Sequence, residues 1–262
     1  MIASAYNDPE TVIGAIFGTG CNGAYMENVG SISKLKTDLP PETPMAINCE
    51  YGAFDNAHNV LPLTKYDHKI DKESPKPGEQ AFEKMSAGEI YRQVVLELYD
   101  RDILFKGQDA TKLRAPYVLD TGFLSALEND TSIAMSTTRK SFKTVLGFEA
   151  SAEELIFSQR LAEAIAVRGA RLCTCGIAAI CRKKGIKSGH VAADGSVANK
   201  HPTFKQRWAK ALGEVLGWDE DREGDPITIT SAEDGSGVGA AVISAMTLKR
   251  AQDGDMAGIK ES

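Results

Sequence analysis

The chain has 262 residues, 42% hydrophobic and 25% charged, an ordinary globular composition with enough apolar mass for one large domain or two small ones. A formal net charge of -6 and a pI near 5.4 argue against a nucleic-acid surface, and no run of Lys or Arg suggests one. No apolar run reads as the ~20 residues needed to cross a bilayer, and residues 1–8 lack the basic region and apolar core of a signal peptide, so a cytoplasmic protein without membrane insertion is expected.

In chain order, residues 1–6 read as the end of a helix stopped by Asn7-Asp8-Pro9, as though an earlier part of the unit lay upstream. Strands are predicted over 12–17, 24–29 and 45–49. The first two flank Gly18-Thr19-Gly20-Cys21-Asn22-Gly23. Its glycines leave backbone N–H groups open to an anion, Thr19 adds a hydroxyl, and Asn22 adds an amide that both donates and accepts. Such a turn holds a phosphoryl group as readily as it closes a tight hairpin, and alone it leaves both readings open. Residues 51–77 show no sustained periodicity and carry Pro62, Pro75 and Pro77; a connection that long is either functional or a variable surface loop.

Helices follow over 79–86 and 88–99, the second with Ile90, Val94, Val95 and Leu98 as an apolar stripe. Residues 118–125 read as a loop opening a helix through Leu127, and 137–146 as another short helix. Ser151 and Glu154 form a capping box for the longest helix, which runs to Lys184 and stops at Gly185. It is apolar nearly all round over 161–181, interrupted by Glu163, Arg168 and Arg171, as a core helix would be. A buried strand over 189–193 ends in Asp194-Gly195-Ser196, an amphipathic helix spans 204–216, and a strand spans 227–230. Residues 233–239 open a final helix over 240–250. This is an α/β pattern, a mixed sheet with helices on both faces.

Cys21, Cys49, Cys173, Cys175 and Cys181 are odd in number and set among apolar or small neighbours, the pattern of buried thiols in a reducing compartment. Neither they nor His58, His68, His190 and His201 fall at metal-ligand spacing, so no metal site is expected, and three of the histidines are expected at the surface. Glu50 ends a strand, where ligands of α/β proteins are met, or is simply a charge leaving the sheet. Glu83 lies in Gln80-Ala81-Phe82-Glu83-Lys84-Met85, on one reading a surface residue paired locally. Two carboxylates and the Asn22 amide in one cleft would suit a polyhydroxylated ligand, because ionised carboxylates make the stronger hydrogen bonds to hydroxyls. The turns at Asp194-Gly195-Ser196 and Gly235-Ser236-Gly237 each follow a strand and precede a helix, offering N–H groups to an anion or purine ligand, though the second could serve only close helix packing.

Together, Asp8-Pro9-Glu10-Thr11, the Gly18–Asn22 turn, Ile47-Asn48-Cys49-Glu50-Tyr51-Gly52-Ala53-Phe54, Phe82-Glu83-Lys84-Met85, Asp194-Gly195-Ser196-Val197 with His201-Pro202-Thr203-Phe204-Lys205, and Glu233-Asp234-Gly235-Ser236-Gly237 make the chain resemble the C-terminal part of a eukaryotic hexokinase or glucokinase. The resemblance implies the sugar kinase, hexokinase and actin ATPase fold, a doubled RNase H-like unit around a cleft. Residues 1–262 would form its large domain, incomplete on the N-terminal side and missing the small domain as its structural partner. It implies Asn22, Glu50, Gln80 and Glu83 as the glucose-binding set. Gly18, Thr19, Gly20, Gly88, Glu89, Thr121, Ser125, Asp194, Gly195, Ser196 and Lys200 would serve ATP, with Mg2+ carried by the nucleotide and no protein metal site.

The implied reaction moves the ATP γ-phosphoryl group to the 6-hydroxyl of glucose or another hexose, the first step of glycolysis, with a general base taking the hydroxyl proton. In the family that base is the Asp of an Asn-Asp-Thr-Val-Gly-Thr run just upstream of the segment matched here by residues 3–6. It would lie upstream of Met1, so no catalytic residue is assigned. Losing a general base alone typically costs ~10²–10⁴-fold in rate, so the chain by itself is expected to be inactive or nearly so. Its bared interdomain face predicts low solubility. The alternative is a non-catalytic short hexokinase-like protein, binding sugar or nucleotide as a sensor or interaction module. An unrelated ATPase of the same fold is disfavoured, since it needs no paired sugar carboxylates.

Overall fold

The structure, a computed structural model, describes residues 2–18, 20–79, 87–232 and 235–254. Helix α1 (Ile2–Asn7) leads into strands β1 (Thr11–Phe17), β2 (Cys21–Asn28) and β3 (Pro44–Asn48). The short helices α2 (Lys65–Glu73), α3 (Ala87–Asp100), α4 (Thr111–Arg114), α5 (Thr121–Glu128) and α6 (Ser136–Ser141) come next, the last continuing into a π turn over Phe142–Leu146. The long helix α7 (Ala152–Lys184) then feeds strand β4 (Gly189–Asp194), followed by α8 (Ser196–Lys200), α9 (Phe204–Leu216), β5 (Ile227–Ser231) and α10 (Gly235–Gln252). The sheet order is β3-β2-β1-β4-β5. Strands β1, β2 and β3 form an antiparallel meander, while β4 and β5 add parallel to β1, giving the expected mixed sheet.

Two apolar clusters divide the molecule, and α7 spans both. Its N-terminal half lends Leu155, Ala162 and Ile165 to a cluster with Tyr91, Leu113, Phe123, Phe142 and Phe148. Its C-terminal half gives Ala170, Ile177, Ile180 and Cys181 to the sheet, where they meet Ile13, Phe17, Val191 and Trp208. By length and composition alone α7 could cross a membrane, which the sequence reading over 161–181 did not allow. In this fold its apolar side chains are divided between two cores. The Ser151–Glu154 capping box forms as expected, and Gly185 ends the helix with φ 64°. Helices α7 and α9 cover one face of the sheet; α1 and α10 flank the other around Gly14, Ile16 and Ala192.

Several elements differ from expectation. Helix α2 lies within the stretch that shows no periodicity: it is nucleated by a Thr64–Asp67 capping box and buries only Asp67 and Ile70, leaving no apolar stripe to read. β2 begins at Cys21, so the glycine turn is shorter than the sequence implies. Residues 196–200 are helical, and the last helix begins at Gly235. The thiols are less buried than expected: Cys181 is buried, Cys175 is exposed and the others lie between. Among the histidines only His68 is exposed, because His190 lies 2.7 Å from Asp8 and His201 lies 2.8 Å from Glu128. The helix expected over 79–86 lies, beyond Glu79, outside the described residues.

Candidate active site at the strand ends

The end of β1, the start of β2 and the ends of β3 and β4 meet at one edge of the sheet. Gly18 closes the turn by donating its N–H to the Gly20 carbonyl at 3.0 Å, which folds the chain straight back from Phe17 into Cys21. Parallel β4 ends beside it. Gly195, at φ 113°, packs against this turn so closely that a Cβ would overlap the Phe17 carbonyl and come 3.0 Å from the Gly18 nitrogen. The two glycine turns are therefore back to back, and only a residue without a Cβ fits between them.

Three polar side chains converge beside that turn. Asn22 donates from Nδ2 to Asn48 Oδ1 at 2.7 Å and to Glu50 Oε1 at 3.3 Å, while Asn48 Nδ2 donates to the same Glu50 oxygen at 2.5 Å. Asn22 Oδ1 accepts from the Gly23 N–H at 2.7 Å, which fixes its own orientation. Both amide donors are spent on Oε1, leaving Glu50 Oε2 with no hydrogen-bond partner among the described residues. Glu50 itself sits at φ 50°, ψ 39°, a left-handed conformation costing a non-glycine residue ~1–2 kcal/mol. Such strain persists where the surroundings over-determine it, and it clusters at ligand sites.

Two cavities open on either side of the turn. One, of about 220 Å³, is walled by Phe17, Leu124, Ile165, Val197 and Phe204 and edged by Gly18, Gly20 and Thr121. At its polar end Glu128 is held by Arg207 at 2.7 Å and lies 2.8 Å from His201. The other, of about 390 Å³, lies on the α10 side and is lined by Asn22, Asn48 and Asp194 together with Gly14 and Ile243. The structure thus brings Asn22 and Glu50 together, and places Gly18, Gly20 and Thr121 on one cavity with Gly195 against the turn. Thr19, Gln80 and Glu83 lie outside the described residues.

Other expected contacts separate from this edge. Ser125 accepts from Asn129, the residue that ends its helix, and Lys200 is exposed and lines neither cavity. Gly88 is accounted for by packing, since a Cβ there would overlap the Leu119 carbonyl. Glu89 needs correction as a nucleotide contact: its side chain is 3% exposed and paired with Arg92. It also accepts from Gln93 and from the Tyr117 N–H. Burial works against its charge, but these partners hold the carboxyl below its ordinary value.

Asn48 and Tyr51 escaped the sequence reading as site residues. Asn48 was legible only as part of a strand, and Tyr51 only as the residue after Glu50. Residues Asn129-Asp130-Thr131 repeat the first three letters of the run expected to carry the base, but Asp130 is committed elsewhere. It accepts from Ser132 and from the Thr138 N–H at 2.7 Å. Burial opposes its ionisation, and these hydrogen bonds outweigh it, holding the carboxyl down to about 2. A carboxylate so fully engaged is a poor proton acceptor.

Residues 12–246 match the family model described as Hexokinase. The chain is 55% identical to the hexokinase of Emericella nidulans, over all of this chain and 55% of that protein. It is 51% identical to hexokinase-1 of Saccharomyces cerevisiae, over 99% of this chain and 55% of that one. The chain thus spans little more than half the length of these relatives. Among solved structures, the hexokinase from Schistosoma mansoni complexed with glucose superposes with a TM-score of 0.81 at 29% identity, covering 93% of this chain and 55% of that one. The mixed sheet with its flanking helices is the hexokinase arrangement of the sugar kinase and actin-like fold.

Proposed function

The chain belongs to the hexokinase family, and we propose that it supplies the sugar- and nucleotide-binding part of an ATP-dependent hexose kinase acting on glucose at the 6-hydroxyl. The observation that carries this reading is the convergence of Asn22, Asn48 and Glu50 next to the glycine turn, with one Glu50 carboxylate oxygen unbonded among the described residues. A sugar hydroxyl donates to an ionised carboxylate in a charge-assisted bond, and the amides fix which oxygen receives it. Gln80 and Glu83 join this set as proposed sugar contacts. The S. mansoni hexokinase, solved with glucose, supports the choice of ligand.

The apolar walls of the 220 Å³ cavity suit a purine base, and its edge at Gly18 and Gly20 presents bare backbone where phosphates would lie. Thr19, Thr121, Asp194, Gly195 and Ser196 are the proposed nucleotide set; Ser125 and Lys200, which line neither cavity, and the buried Glu89 are left out. Mg2+, arriving with the nucleotide, would neutralise phosphate charge. This chain's residues hold and orient the reactants, which is most of what phosphoryl transfer asks of a protein. We propose that the base is the Asp of an Asn-Asp-Thr-Val-Gly-Thr run outside residues 1–262, and that residues 1–262 by themselves bind glucose and ATP with little or no turnover. The chain would work with a small domain, in the cytoplasm, as part of glycolysis.

The test is a coupled ATP-and-glucose phosphorylation assay on this chain beside a version extended through an Asn-Asp-Thr-Val-Gly-Thr run, with calorimetric binding of each ligand to both. Turnover only in the extended protein, with glucose binding in both, is the expected result. Equal turnover in both would return the search for a base to the residues present here. The second reading is a non-catalytic hexokinase-like protein that binds sugar or nucleotide as a sensor. Binding without turnover even in the extended protein would select it.

A further inference from the structure

We propose that Tyr51 is the positioning residue that holds Glu50 in its left-handed conformation against the glycine turn, with Gly176 of α7 as its socket. The proposal deepens the sugar-site reading and rests on it for its functional consequence, though its structural consequence can be read without any sugar.

Glu50 occupies a backbone conformation that its own type disfavours, and its carboxylate is exposed. Hydrogen bonds from two part-exposed amides are soft restraints, because water competes for every partner. The rigid restraint lies one residue on. The Tyr51 ring is inserted between β2 and α7, in a slot cleared by two glycines. A Cβ on Gly176 would stand 2.5, 2.7 and 2.8 Å from the ring's Cε1, Cδ1 and Cζ atoms, and one on Gly23 would stand 3.1 Å from Cε1. Neither position demands glycine by a positive φ, so it is the ring that requires them.

The far end of the ring reaches the turn itself. The Cys21 thiol lies 3.2 Å from the Tyr51 hydroxyl and can donate to it, and Cys21 is the residue before Asn22. The Gly23 carbonyl accepts the Cys49 N–H at 2.9 Å, locking the two flanks of the slot together. One aromatic ring therefore relates the residue carrying the sugar carboxylate to the residue beside the sugar amide, and refers both to the long helix. Burial pushes the phenol well above its ordinary value, so it stays a neutral wedge. Rings buried in this way lose only two side-chain torsions, which makes them effective rigid spacers.

Gly176→Ala tests this from outside the site. It adds one methyl group on α7, where alanine is the better helix former, and pushes the ring without altering any group proposed to touch sugar. The readouts are the side-chain amide NMR signals of Asn22 and Asn48, which report the Glu50 hydrogen bonds, and the dissociation constants for glucose and for ATP. Expected in Gly176→Ala and in Tyr51→Leu are displaced Asn22 and Asn48 signals. Glucose should bind at least about tenfold more weakly, and ATP affinity should stay within about twofold. Tyr51→Phe, which keeps the ring, should remain within about threefold of the parent for glucose.

Unmoved amide signals in a folded Gly176→Ala chain would overturn the proposal. So would a parallel loss of glucose and ATP affinity, which marks general destabilisation, or equal losses in Tyr51→Phe and Tyr51→Leu. Should Gly176→Ala fail to fold, the Phe and Leu pair decides alone. A parent chain that binds no glucose would sink the sugar reading, while the amide signals would still decide whether Tyr51 positions Glu50.

Discussion

Gly195 and Phe17 stand back to back where β4 and β1 end side by side, and a Cβ on Gly195 would lie 2.6 Å from the Phe17 carbonyl carbon. The contact sets the spacing between two turns on adjacent parallel strands, and Gly195 also holds φ 113°, which L side chains rarely adopt. Gly195→Ala is expected to destabilise the chain by more than ~1 kcal/mol, visible as a lower urea midpoint. It should weaken ATP binding more than glucose binding. An unchanged midpoint would mean that β4 and the turn can move apart freely.

Replacing Glu50 by Gln keeps the shape and removes the charge. On the sugar-site reading, glucose affinity should fall about ten- to a hundredfold, the loss expected when a charge-assisted hydrogen bond goes. Asn48→Ala should act in the same direction by releasing Glu50 Oε1. Calorimetry with glucose checks both, and intact glucose affinity in Glu50→Gln would remove the carboxylate from the site.

Glu89→Gln should lower stability and leave nucleotide affinity unchanged. Glu89 and Arg92 are both nearly inaccessible to water, and Arg92 also donates to the Leu113 carbonyl. Removing one member of such a pair leaves the other charge buried and costs ~3–5 kcal/mol. Chemical denaturation together with an ATP titration separates the two effects. A shift in ATP affinity at unchanged stability would restore Glu89 as a nucleotide contact.

Asp130 makes the acid limb of the stability profile informative. Its folded-state pKa of about 2 lies below the ordinary 3.8, so its contribution is fully present above about 3.8. That contribution is lost as pH falls from there through about 2. Stability of the parent chain should therefore decline across this window, and Asp130→Asn should flatten the decline while lowering stability at neutral pH. Urea midpoints measured between pH 2 and 7 check the sign.

The thiols should react in order of access. Cys175 is exposed, whereas Cys181 is buried and burial pushes its thiol up to about 11. The thiolate is the nucleophile and its access sets the rate, so alkylation at neutral pH should reach Cys175 before Cys181. Peptide mapping after brief iodoacetamide treatment reads the order. Early modification of Cys181 would show that the C-terminal half of α7 opens easily.

The sequence alone determined the layer order, because the information was local. Short apolar strands, a capping box at Ser151–Glu154 and a glycine stop at Gly185 act over a few residues, and all reappear in the fold. It also pointed to Asn22 and Glu50, since a turn and a strand end are local features. It misread α2, whose charged helix buries two residues and so leaves no periodic trace. The resemblance placed Glu89 among the nucleotide contacts, because a buried ion pair shows only once Leu113 and Tyr117 close over it. Tyr51, Gly176 and Gly23 are up to 153 positions apart, from Gly23 to Gly176. Their fit follows from the packing of α7 on β2, and packing at that range is decided by shape, of which the residue letters carry no local sign.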